Sequence, residues 1–144
     1  MRMAGRQITM WQLPRVLLEL VPETALLIAE KAVKAWDVSR EPVIDEELLA
    51  KVGSDLRGEF DPYSLAAWIF LPVFEEALDA EPSNVDLIRR CCDFVERALS
   101  GEEYVAEGVD LMVIENFGSE HTSRVLPFAG PTFRNALRAS GWID

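Results

Sequence analysis

Two vicinal cysteines, one histidine and a surplus of carboxylates are the residues of this chain whose types could do chemistry. Cys91 or Cys92 with His121 would have to act as nucleophile and base. Both thiols lie in a segment of helical period whose apolar face claims at least one of them, so buried structural thiols are expected instead. A di-iron bundle requires two Glu-x-x-His motifs, and the single histidine has Gly118 three residues before it. Zinc requires Cys and His ligands at loop or helix spacing, which a vicinal pair and a distant histidine do not supply. Glu102 with Glu103, and Glu75 with Glu76, are sequence neighbours that diverge on a helix and cannot flank one bond. No glycine loop of the phosphate-binding kind is present. The expectation is a protein that is not an enzyme and carries no metal or cofactor.

The carboxylates suit binding better than catalysis. Fourteen basic residues stand against twenty-five acidic ones, a net charge of −11, which repels nucleic acid and anionic lipid and favours basic partners. Residues 41–81 carry −9 and residues 82–122 carry −6, while each end of the chain is about +2. Three clusters are the candidate partner-binding residues: Glu103, Glu107 and Asp110; Glu75, Glu76 and Asp79; and Asp45, Glu46 and Glu47. The competing reading of the same charge is solubility.

The elements that must position these acids are helices. From Ser83, with Asp86 three residues on as in a capping box, apolar residues recur at Leu87, Ile88, Cys91, Phe94, Val95, Ala98 and Leu99, and Ser100–Gly101 stop the run. A second helix is expected from Glu102 to Phe117, ended by Gly118. Its polar stripe is only Glu103, Glu107 and Asp110, which places it at the centre of the domain. Gly108 within it marks a close helix crossing, since glycine there costs about 1 kcal/mol relative to alanine. Upstream, the pattern predicts helices over Pro14–Leu20, from Glu23 or Thr24 to Trp36, and over Asp45–Val52. Asp61 and Pro62 open a further helix through Leu65, Trp68, Phe70 and Phe74, kinked at Pro72. After Gly118 a loop holding His121 is expected, then a turn at Val125–Phe128, a helix from Thr132 to Ala139, and Trp142 packing back on the body. Residues 1–7 are expected to fray.

No segment alternates with a period of two. The fold class is therefore all-α, six to eight antiparallel helices in a bundle or a short superhelix of helix pairs, in a single domain over residues 1–144. Paired cysteines without a spaced disulfide framework fit a reducing cytoplasm, and the N-terminus carries no signal-peptide pattern. The longest apolar run, Leu65 to Phe74, is far short of a membrane span and is expected to be a core helix.

Several segments resemble a family of small helical bacterial proteins found beside polymorphic or contact-dependent toxins as candidate immunity proteins. The likeness lies in Cys92-Asp93-Phe94-Val95-Glu96 ending in Leu99, then Val105-Ala106-Glu107-Gly108 leading to Ile114-Glu115-Asn116-Phe117. Leu126-Pro127-Phe128-Ala129-Gly130-Pro131 and Trp142 are similar to the closing segment. It covers about residues 62–142. The resemblance implies a cytoplasmic, stoichiometric inhibitor that binds a toxin domain and occludes its active site or target-binding face, with no catalytic residue carried over. Glu115 and Asn116 are read as tying the helix end to the following loop. A basic, nucleic-acid-targeting toxin would suit the acidic charge. The alternative is a helical-repeat interaction module with a non-toxin partner.

Overall fold

The structure is a computed structural model, described here for residues 7–36, 43–54 and 58–144. The fraying expected of residues 1–7, and the connection between the helices expected to end at Trp36 and to start at Asp45, fall largely outside these residues. Eight helices and no strand occur among the described residues: α1 (Leu13–Leu20), α2 (Ala25–Trp36), α3 (Glu46–Gly53), a composite α4, α5 (Val85–Leu99), α6 (Glu103–Met112), α7 (Gly118–Val125) and α8 (Pro131–Ala139). The fold is an all-α helical bundle.

Helix α4 begins with an α turn at Pro62–Ser64, widens into a π segment at Leu65–Phe70 and returns to α over Leu71–Asp79. Asp61 caps it as expected, accepting from the Ser64 amide at 3.2 Å. The π segment closes with the Leu71 N–H donating to the Ala66 carbonyl. Pro72 has no amide and its ring crowds the preceding turn, so the turn before it widens. That widening changes the register. Trp68, expected in the core, is 68% exposed.

The bundle is centred on α5, not on α6. Helix α5 packs against α1, α4, α6 and α8 and buries Leu87, Ile88, Cys91, Cys92, Phe94, Val95 and Ala98. Helix α6 buries only Val105, Gly108 and Val109, and its Tyr104 and Leu111 face solvent. An apolar circumference in sequence thus did not mean burial on every side. Gly108 does mark a crossing: a Cβ there would come within 3.0 Å of Pro62 at the start of α4.

Phenylalanines join the elements through one core. The Phe70 ring lies 4.6 Å from Phe94, and Phe74 lies 5.5 Å from Phe117, which is 5.9 Å from Phe133. Burying such rings contributes more than area alone through their offset and edge contacts.

Three further boundaries differ from expectation. The cap of α5 is Asn84, whose side chain accepts from Leu87 N at 3.2 Å, because Asp86 turns to Arg90 at 3.0 Å instead of reaching back to Ser83. The long second helix stops at Met112 and a 3-10 turn follows at Ile114–Asn116. Gly118 then does not end a helix but starts one: at φ 83° it redirects the chain into α7, which carries His121 where a loop was expected. Helix α7 buries only Thr122 and Val125, too few apolar positions to announce a helical period.

The ends of the chain are tied to its middle. Glu102 donates its N–H to the Ile8 carbonyl at 3.0 Å and its carboxylate accepts from Met10 N at 2.7 Å. Trp142 packs back as expected, its indole N–H donating to the Ile114 carbonyl at 2.8 Å.

Candidate interaction surfaces

The spacing of Glu103, Glu107 and Asp110 places all three on one stripe of α6, and the structure sets that stripe along a groove of about 480 Å³. The opposite wall comes from α8, with Thr132, Asn135, Ala136 and Ala139. Among the described residues no lysine or arginine lines it. The trough continues from Asp110 into a second concavity of about 340 Å³ bounded by Glu115, Ser140 and Trp142. Burial, and then the neighbouring Glu115 carboxylate, hold the Asp110 carboxyl above its ordinary range.

A tyrosine pair joins this groove through Glu107, outside the residues that line it. Glu107 accepts from the Tyr63 hydroxyl, a bond that pushes the phenol up to about 12 because the neutral form is the donor. The Tyr63 ring lies 5.5 Å from that of Tyr104, whose hydroxyl is 3.3 Å from Asp61. Neither tyrosine nor Asp61 belonged to the expected site. The sequence signal for them was the Asp-Pro-Tyr helix start crossing at Gly108, which brings Tyr63 to α6.

The other two acidic clusters are differently placed. Asp79 is 3.0 Å from His121 Nε2 and 3.4 Å from Arg124 of α7, while Glu75 and Glu76 make no ion pair among the described residues. Asp45 caps α3 by accepting from Leu48 N at 2.9 Å, and Glu46 forms an exposed pair with Arg15 of α1. Glu47 stays in solvent. The three clusters therefore face three neighbours, α8, α7 and α1, and do not form one groove.

Remaining chemistry is structural. Both thiols are buried, and burial pushes Cys91 up strongly and Cys92 up to about 12, so neither is a thiolate at neutral pH. His121 is engaged by Asp79 and by an edge contact with Phe117 at 6.0 Å between ring centres. Asn116 donates to the Met112 carbonyl at 3.0 Å and so ties off α6, the role read for it from sequence. Among the described residues no group of three or more His, Cys, Asp or Glu is placed to hold a metal, and no helix is long and apolar enough to cross a membrane.

A third concavity was missed in the sequence. Between α2 and the π segment, about 260 Å³ is lined by Leu27, Glu30, Lys31, Lys34, Trp68 and Ile69. The exposed indole at its edge was hidden inside an apolar run. No protein-family model matches the chain, and neither a curated protein nor a solved structure gives a match.

Proposed function

We propose that this protein is an immunity protein, a stoichiometric inhibitor that lays the acidic groove between α6 and α8 on a basic surface of a cognate toxin domain in the cytoplasm. The observation that carries the reading is that three carboxylates of one helix line a concavity whose lining, among the described residues, includes no cation. In the other clusters Arg15, His121 and Arg124 already engage Glu46 and Asp79. An uncompensated acidic trough attracts cationic side chains and accelerates encounter with a basic partner. The nearby Tyr104, exposed and rigid on its helix, adds the kind of side chain that anchors protein interfaces. The resemblance of residues 62–142 to candidate immunity proteins supplies the class of partner.

The test is titration of the toxin domain encoded beside this protein with three variants, each reversing one acidic cluster to lysine. Reversal of Glu103, Glu107 and Asp110 should weaken binding at least about a hundredfold, since like charges at a docked interface cost several kcal/mol. The Glu75–Glu76–Asp79 and Asp45–Glu46–Glu47 reversals should stay within severalfold. Parent-like binding by the first variant at both low and moderate salt would remove the groove from the interface. If the neighbouring gene encodes no toxin and the groove captures another protein, the interaction-module reading replaces this one.

A further inference from the structure

We infer that the face built by α2 and the π segment of α4 docks a second copy of this chain, as a two-fold symmetric dimer. Trp68 is 68% exposed and Leu26, on the outer side of α2, is 57% exposed. Beside the indole lies the concavity between Leu27 and Ile69. A π insertion is rare in helices and frequent at functional sites, and the one that Pro72 induces here re-aims a side chain. Here it presents an indole to solvent while Leu65, Ile69 and Phe70 stay buried.

The charges on this face select the occupant. Lys31 is held by Glu59 at 3.4 Å, whereas Glu30 and Lys34 make no ion pair among the described residues. These two stand one helical turn apart on α2, a single carboxylate followed by a single ammonium. An acidic segment laid along them would meet Lys34 but be repelled by Glu30, and a basic segment would meet the reverse. A surface carrying the same two charges in the opposite direction satisfies both. A two-fold axis across α2 generates that surface from the chain itself, setting Glu30 against Lys34 of the other copy and each Trp68 against the other copy's concavity. The acidic groove lies on different helices, α6 and α8.

Sedimentation of the purified protein from micromolar to submillimolar concentration tests the inference. The parent should show a monomer–dimer equilibrium, and Trp68→Ala should weaken it at least about a hundredfold, as loss of a central tryptophan does at interfaces, with the melting temperature unchanged at concentrations where the parent is monomeric. Glu30→Lys and Lys34→Glu should each weaken self-association, because each places like charges opposite one another. An equimolar mixture of the two single variants should restore it as a heterodimer. A parent that is monomeric throughout overturns the dimer, as does one whose dimer survives Trp68→Ala. A mixture no tighter than either single variant overturns the two-fold pairing. A monomeric parent whose toxin binding is lost in Trp68→Ala assigns the face to the toxin instead.

Discussion

The carboxylate of Glu96, on α5, lies 2.8 Å from the amide of Phe133 and serves α8 as the N-terminal cap that its own sequence lacks. Its second oxygen accepts from Thr132 N at 2.9 Å. The cap position itself is Gly130, which has no side chain to offer. A Cβ on Gly130 would stand 2.7 Å from the Glu96 carboxyl group. Glu96 and Gly130, from the two strings around Phe94 and Pro131, are thus halves of one clasp between α5 and α8.

Glu96→Ala should therefore cost about 2 kcal/mol, the value of a charge-assisted cap across two amides, and lower the melting temperature by several degrees. Gly130→Ala should cost up to the same amount by displacing the carboxylate. In a Glu96→Ala background the second substitution should cost almost nothing. Additive losses in chemical unfolding would separate the two residues.

Gly108→Leu should destabilise the bundle by about 2 kcal/mol or more, since the side chain must enter space held by the Pro62 backbone, which does not yield as a flexible side chain would. Melting curves decide the matter. A neutral result would mean that α4 and α6 separate there at little cost.

Asp110 predicts a pH signature. Burial, and then the Glu115 carboxylate, raise its folded pKa above the ordinary aspartate value. A raised acid favours the folded state when protonated, so stability from this group is fully present below the unfolded value and is lost as pH rises through the folded one. Asp110→Asn should be more stable than the parent at neutral pH, with the difference shrinking as pH falls towards 3.8. Urea unfolding across that range measures it, and a difference independent of pH would contradict the assignment.

The cysteines should be silent. With both thiols buried and pushed up, a thiol-specific reagent should react only at the rate of unfolding, and both residues should become reactive together in denaturant. Rapid modification of the native protein at either position would show a path to solvent through α5.

Most helices were legible because their signals are local. Asp61 caps the helix it was expected to cap, with Pro62 in the first turn, and Asp45, expected as the first residue of its helix, is that helix's cap. Gly108 was legible for the same reason, as a residue that its helix tolerates only for what it touches. What stayed hidden depends on distant partners. Nothing near Pro131 announces that Glu96 caps it, and Pro72 announced a kink but not the change from α to π register that turns Trp68 outward. The centre of the bundle was misjudged because composition reports how apolar α6 is, whereas burial depends on how many helices lie against α5. In the acidic stripe, spacing placed Glu103, Glu107 and Asp110 on one face, but the opposite wall from α8 and the tyrosine pair arise only from tertiary packing.

The strap between Met10 and Glu102 also sets an order of events during synthesis. Its partners are 92 residues apart, and α1, just after the strap, finds its main cover in α5. At roughly 5–20 residues per second, several seconds or more pass between emergence of the first partner and the second. Through that interval Leu13, Val16 and Leu17 have no core to enter. Helix α1 thus leaves the ribosome long before its main cover does, and over that interval it is a segment in need of a chaperone's shelter.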